Sequence, residues 1–380
     1  MRKNTFIKKF MDFRYFELPK SFFKSKFYSF KFGYLNTHLE YSNPYVIICN
    51  KTTIFDKYLL SNTLKCDFVF LKDDIVKSIY NGTLSNEDRS ELLNSFKILK
   101  ESFISVVIFP EHHQSVFGNT DKISIEMTNF LASLKFNLKF VNLVGTYHVY
   151  PVWANDIRRA NHTKFQQQFS IYYKDVENMS SEEFNQKINS NMPSSASIYT
   201  KKYPIIIDSR IKAQNLENII YCCPKCYSFF SLYSEYNCLK CRECLTAIEI
   251  SKDTTITISN NHVSLEDFAS NQLEKLENFG FKKGQPILTY KDIQFCIKNY
   301  KNKIKELGSM EVVLFPHKIT LNKNSYNKEI KFQDITEIEL TQHNTIIIKT
   351  IDNEIILKGK NRENLYIIID LHYLINKKLV

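Results

Sequence analysis

Three short polar blocks stand where apolar runs stop, and their residue types could do chemistry. The first is Asn50-Lys51-Thr52-Thr53-Ile54-Phe55-Asp56, after the apolar run 45–49. The second is Phe109-Pro110-Glu111-His112-His113-Gln114-Ser115, at the end of the run 103–109. The third begins inside the run 140–144, as Asn142-Leu143-Val144-Gly145-Thr146-Tyr147, and leads to Pro151-Val152-Trp153-Ala154. Together they offer an Asp, a Glu, two His and a Lys, a set suited to general acid–base work or to holding a polar headgroup. A set of capped loops would use the same residue types. A separate constellation is sulfur. Cys223-x2-Cys226 and Cys241-x2-Cys244 are two CxxC pairs with 14 residues between them. Four soft thiolates on two knuckles fit tetrahedral Zn2+, and a site with four protein ligands leaves no open position, so its role would be structural. Cys238 also stands three residues before Cys241, and Cys222 adjoins Cys223. The pair Cys241/Cys244 is preferred because 14 residues give room for a two-stranded ribbon. Six of the nine cysteines crowd into 222–244, the pattern of a metal site in a reducing compartment and not of a disulfide framework.

The elements that must position these residues follow from periodicity. Strand-length apolar runs at 45–49, 67–71, 103–109 and 140–144 alternate with helical patterns at 57–63, 86–102 and 123–134. Ser85 or Asn86 would cap the longest helix. Strands separated by helices imply a central sheet with helices on its faces, an α/β domain over 41–220 whose polar loops gather at the strand ends. The cysteine ribbon occupies 221–250. A helical connector is expected over 251–308, with helices at about 264–278 and 290–307. Short strands at 310–315, 318–321, 329–332, 335–340, 345–350 and 354–358, then a helix at about 362–376, make a small β domain over 309–380. That pattern fits a barrel of PH or GRAM type, and equally a small α+β packing module.

Charge sharpens the partner question. The formal charge is +11, of which residues 1–40 hold +6 from nine basic and three acidic groups. The same segment carries twelve aromatic residues, and Phe6, Phe10 and Phe13 recur at helical spacing. This arm reads either as an interfacial segment that meets an anionic membrane surface or as a helix packed on the main domain. Basic and acidic residues nearly balance across the cysteine segment, so no nucleic-acid partner is expected. No run approaches 18 apolar residues and the N-terminus lacks a continuous apolar core, so neither a transmembrane helix nor a secretory signal is expected. A cytoplasmic protein, peripheral on the inner face of the cell membrane, is the expectation.

The order and spacing of the polar blocks resemble the lysophosphatidic acid (1-acylglycerol-3-phosphate) acyltransferase family. Its first block is Asn-His-x4-Asp and its third is Phe-Pro-Glu-Gly-x-Arg-Ser. Asn50 and Asp56 match the first in length; Phe109, Pro110, Glu111 and Ser115 match the third. Asn142-Leu143-x-Gly145-x-Tyr147, then Pro151-x-Trp153-Ala154 and Arg158, look like a bacterial branch that continues into a CPxC…CxxC ribbon, as Cys223-Pro224-Lys225-Cys226 does here. The resemblance covers about residues 40–246. It implies a mixed sheet flanked by helices. It also implies transfer of a fatty acyl group from acyl carrier protein or acyl-CoA to a lysophospholipid, 1-acylglycerol 3-phosphate, in phospholipid synthesis. By the same resemblance, the first block supplies base and orienting Asp, and the third, with Asn50 and Gly145, holds the glycerol phosphate.

The chain departs from that pattern where the chemistry is concentrated. Lys51 replaces the base His, His112 replaces Gly and Gln114 replaces Arg. General-base catalysis is worth roughly 100- to 10,000-fold. A lysine amine is normally protonated near neutral pH, and a neighbouring Asp56 would favour its charged form. His113, His112 or His148 would have to supply the base instead. Losing Arg at Gln114 removes a bidentate phosphate donor. Two readings follow: an O-acyltransferase with a relocated base, and a catalytically silent relative, a lipid- or acyl-carrier-binding scaffold at the membrane.

Overall fold

Apolar runs of four residues, rich in β-branched side chains, become strands that are buried on both faces, as a parallel sheet covered by helices requires. A computed structural model describes residues 11–19, 34–35 and 44–379, apart from 112–113, 193–194, 197–203, 255, 259–260, 282–283, 300–303, 324–325 and 361–362. The chain is mixed α/β and divides into two compact units. One comprises Met1–Pro151 with Arg158–Asp208, the other Val152–Ile157 with Ser209–Val380.

The first unit holds β1 (Phe16–Glu17), β2 (Tyr34–Leu35), β3 (Val46–Cys49), β4 (Phe68–Leu71), β5 (Ser105–Ile108), β6 (Leu138–Val144) and β8 (His162–Ile171) in one sheet. Its order is β1-β4-β5-β3-β6-β8-β2. The four central strands run parallel, with Val46 opposite both Val106 and Leu138. β8 closes one side antiparallel to β6, and β1 closes the other antiparallel to β4. A separate two-stranded pair joins β7 (Arg159–Ala160) to β9 (Ile207–Asp208). The helices are α1 (Asp56–Thr63), α2 (Asp73–Tyr80), α3 (Asn86–Glu101), α4 (Ile125–Ser133), the single turns α5 (Thr146–Val149) and α6 (Tyr173–Val176), and α7 (Ser181–Asn191). Ser85 caps α3 by accepting a hydrogen bond from the Asp88 N–H, and Ser180 with Glu183 forms a capping box on α7. The four strands and three helices expected between 45 and 144 are all present, with ends shifted by a few residues.

Phe96 of α3 is fully buried among the rings of Phe16, Phe130 and Phe136, with centroids 5.3 to 6.0 Å away. Residues 11–17 thus belong to the core of this unit: Met11, Tyr15 and Phe16 are buried, and the Tyr15 hydroxyl donates to Glu91 at 2.9 Å. Phe13 is exposed and lies in a turn. Phe6 and Phe10, like most of the arm, lie outside the described residues.

In the second unit, β10 (Leu232–Glu235), β11 (Cys238–Cys241), β12 (Ala247–Ile250), β13 (Ile256–Ile258) and β14 (Asn261–Val263) form an antiparallel meander. Ser264 caps α8 (Leu265–Glu277), close to the expected 264–278. The helix expected at 290–307 is instead a strand pair, β15 (Leu288–Asn299) and β16 (Ile304–Leu314), so the stretch is no helical connector. A bulge explains the misreading. Asp292 has φ 61° and the register shifts between Tyr290 and Ile293, so the buried positions 290 and 293 fall at helical spacing within a strand. β17 (Lys318–Lys323), β18 (Tyr326–Lys331), β19 (Ile335–Thr341), β20 (Thr345–Thr350) and β21 (Asn353–Lys358) complete a seven-stranded antiparallel sheet. Its order is β18-β17-β16-β15-β21-β20-β19. The final helix, α9 (Ile367–Leu379), carries Asp370, whose buried carboxylate accepts from the Tyr221 hydroxyl at 2.6 Å. Tyr221 N–H in turn donates to Gln272 of α8. This network fastens the segment that enters the cysteine ribbon to both helices of its own unit.

Candidate functional site

At the C-terminal end of a parallel strand the ladder stops and backbone N–H groups need new acceptors. Asn50 meets this first. It is buried, and its side-chain amide accepts from Leu143 N–H at 2.7 Å and donates to Leu143 C=O at 3.3 Å. It thereby holds the end of β3 to the end of β6. The next three N–H groups turn to carboxylates. Lys51 N–H donates to Glu111 Oε2 at 3.1 Å. Thr52 and Thr53 N–H donate to Asp56 Oδ2 at 2.5 and 2.8 Å, and the Thr53 hydroxyl donates to Asp56 Oδ1 at 2.9 Å. The Thr52 and Thr146 hydroxyls are 2.5 Å apart, which brings the loop after β6 to the same edge. Asp56 opens α1, where the helix N-terminus favours a carboxylate. It is nevertheless 1% exposed, and burial pushes its carboxyl up to about 6 against the hydrogen bonds from Thr53 and Thr52.

Lys51 does not face Asp56. Its Nζ stands 3.1 Å from Asp73 Oδ2, and Asp73 Oδ1 stands 3.0 Å from Lys57 Nζ, which also pairs with Glu17 of β1. Burial disfavours the Asp73 carboxylate, but Lys51 and Lys57 outweigh it and hold the group below its ordinary value. The expectation that Asp56 is the electrostatic neighbour of Lys51 is therefore corrected. The oxygens of Asp56 serve the Thr52–Thr53 turn, and the ammonium belongs to Asp73 at the start of α2.

The remaining candidates divide by role. Glu111 is buried, with Oε2 on Lys51 N–H and Oε1 without a hydrogen bond among the described residues. Burial pushes its carboxyl well above the ordinary value; Lys51 N–H pulls it back, and Asp121 and Asp56 add to the rise. Ser115 shapes its own loop, accepting from Gly118 N–H at 2.8 Å and donating to Asn119 at 3.3 Å. Gln114 is half-buried in that loop, and His112 and His113 lie outside the described residues. Gly145 has φ 87°, a left-handed conformation that a side chain would strain, and it starts the turn α5. Beyond it, burial and Arg158 push the His148 imidazole down to about 4. Asp73, Lys57 and the three threonines were missed in the sequence. Two threonines ahead of an Asp that opens a helix are a local cue for the turn. Asp73 pairs with a lysine 22 positions away and leaves no such cue.

The cysteines assemble in the second unit. Sγ atoms of Cys223 and Cys244 are 3.7 Å apart, as are those of Cys226 and Cys241, and all four lie within 4.8 Å of one another. Sulfurs about 2.3 Å from a central zinc would stand roughly 3.8 Å apart. Each CxxC is a tight knuckle. Tyr227 N–H donates to Cys223 C=O and Leu245 N–H to Cys241 C=O, with φ 59° at both Tyr227 and Leu245. Burial opposes the Cys241 thiolate, but Cys244 N–H and the Ser231 and Ser228 hydroxyls bring it down to about 6. The cluster is compatible with a structural metal site. Cys238 sits on β11 outside it, and the Cys222 thiol turns to backbone carbonyls.

No protein-family model matches the chain, and no curated protein does. Among solved structures it is similar to the 1-acyl-sn-glycerophosphate (LPA) acyltransferase PlsC from Thermotoga maritima. The identity is 13% and the TM-score 0.33, over 44% of this chain and 68% of that one. At that level of likeness the chemistry of the site is read from its own geometry. Among the described residues no helix is long and apolar enough to cross a membrane.

Asp56 provides a pH test. Its carboxyl rises from 3.8 to about 6 on folding, so folding favours the protonated form. That contribution to stability is fully present below pH 3.8 and is lost as pH rises through about 6. Urea unfolding of wild type and Asp56→Asn should show wild type losing up to roughly 3 kcal/mol relative to the variant between pH 4 and pH 7.5. A difference that stays flat over this range would show that Asp56 does not titrate as a buried carboxyl.

Proposed function

We propose that the first unit is a glycerolipid acyltransferase-type domain that binds an acylglycerol lipid without performing base-catalysed acyl transfer. The observation that carries this reading is the ion pair between Lys51 Nζ and Asp73 at 3.1 Å. An ammonium held in an ion pair has no lone pair with which to take the proton of a glycerol hydroxyl. Asp56, the residue that would orient a base, has its oxygens engaged by Thr52 and Thr53. The polar edge itself, with Asn50, Glu111 and Gly145 in their family positions, is kept. The protein is then a lipid- or acyl-carrier-binding scaffold, peripheral on the anionic inner face of the cell membrane, with the basic aromatic segment 1–40 contributing to its attachment. Zn2+ held by Cys223, Cys226, Cys241 and Cys244 stabilises the ribbon. In the C-terminal sheet, β15 pairs with both β16 and β21 and a helix follows the last strand, an arrangement that supports the PH/GRAM-like reading.

Purified protein given labelled acyl-CoA or acyl-acyl carrier protein with 1-acylglycerol 3-phosphate should show no transfer above background. Lys51→His should raise transfer, within the roughly 100-fold or greater range that a general base supplies. Robust wild-type turnover that survives Lys51→Ala and disappears with His113→Ala would relocate the base and overturn the silent reading.

For the ribbon, metal analysis should find close to one equivalent of zinc, and Cys241→Ser should lose most of it with a lowered unfolding temperature. Full folding and an unchanged unfolding temperature after exhaustive chelation would remove the structural metal.

A further inference from the structure

The charges around Glu111 do not suit a phosphate. We infer that the headgroup recognised at this edge is uncharged and hydroxyl-bearing, an acylglycerol with free hydroxyls, and not a glycerol phosphate monoester. This rests on the reading that the edge binds a glycerolipid, and it names the class.

The argument starts from the cations. Lys51 is the lysine nearest Glu111 in the chain fold, since its own N–H reaches Glu111 Oε2, yet its ammonium is committed to Asp73. Asp73 is shared with Lys57, and Lys57 is also paired with Glu17. Two lysines and two carboxylates thus neutralise one another in a single cluster. The acids are left in excess. Asp56 and Glu111 are both buried on the edge, and both Asp56 and Asp121 act on Glu111 as like charges. The position where the family pattern has Arg is Gln114, an amide without charge. Arg158, the buried cation of this unit that remains, acts on His148 beyond Gly145. A phosphate monoester brings up to two negative charges and would meet carboxyl groups where a bidentate guanidinium is needed.

A hydroxyl group fits the same atoms. Glu111 Oε2 is occupied by Lys51 N–H, while Oε1 is buried without a hydrogen bond among the described residues, at a cost that a ligand can relieve. Burial and the neighbouring carboxylates favour the protonated carboxyl. A carboxyl protonated on Oε1 can donate to a hydroxyl oxygen and also accept a hydroxyl proton, and a polyol headgroup offers both. Neither bond requires a charge on the ligand.

The experiment is isothermal titration calorimetry on the full chain with two soluble probes, 1-hexanoylglycerol and 1-hexanoylglycerol 3-phosphate, at the same pH and salt. The expected result is binding of the uncharged probe at least tenfold tighter than the phosphate. Gln114→Arg, which restores the missing cation, should narrow or reverse that ratio. Equal or tighter binding of the phosphate by wild type would overturn this inference and leave the glycerolipid site standing. Binding of neither probe, by a protein whose circular dichroism and thermal unfolding are those of the folded chain, would overturn both the inference and the glycerolipid reading beneath it.

Discussion

Backbone N–H groups that run out of strand partners at a buried sheet edge must find acceptors, and here two buried carboxylates provide them. The rest of the site depends on that constraint. Leaving a buried N–H unpaired costs roughly 1–3 kcal/mol, and burying a carboxylate without donors costs more. Bringing the two together offsets both costs. Asp56 collects the N–H groups of Thr52 and Thr53, Glu111 collects that of Lys51, and the Asn50 amide substitutes for a missing rung between β3 and β6. The loop after β3 is therefore held by the very groups that an acyltransferase would keep for its substrate. The side chain of Lys51 is left to leave the edge and find a carboxylate elsewhere.

That second carboxylate changes what the site can do. Asp73 begins a helix that the sequence did not signal, and it receives both Lys51 and Lys57. Through Lys57 and Glu17, the same ion-pair cluster reaches β1, so the N-terminal segment and the site loop share one electrostatic anchor. A lysine in place of a histidine is thus more than a weaker base. It is a structural cation, and the acids around Glu111 are left without one.

How much of this was legible varied with the range of the interaction. Fully buried strands were readable because four apolar residues in a row allow little else, and Ser85 was readable as a cap because capping is local. The cysteine register was readable because a knuckle needs two residues between ligands, and Cys241 with Cys244 indeed joins Cys223 and Cys226. α2 buries only Val76 and Ile79, too few positions to establish a period. The bulge at Asp292 gave β15 a helical spacing and hid two long strands. At the site, Asn50, Asp56 and Glu111 were legible as polar groups at strand ends. The partner of Lys51 was not, because it is chosen by tertiary packing between residues far apart in the chain.

The central claim is that Lys51 is bound to Asp73, and a double-mutant cycle tests it most directly. Unfolding free energies of wild type, Lys51→Met, Asp73→Asn and the double variant isolate the pair's coupling. The predicted coupling is favourable and at least about 0.5 kcal/mol, the lower bound for residues in contact. Additive single effects would mean that the ammonium lies elsewhere, and Lys51 would then be available to the chemistry denied to it here.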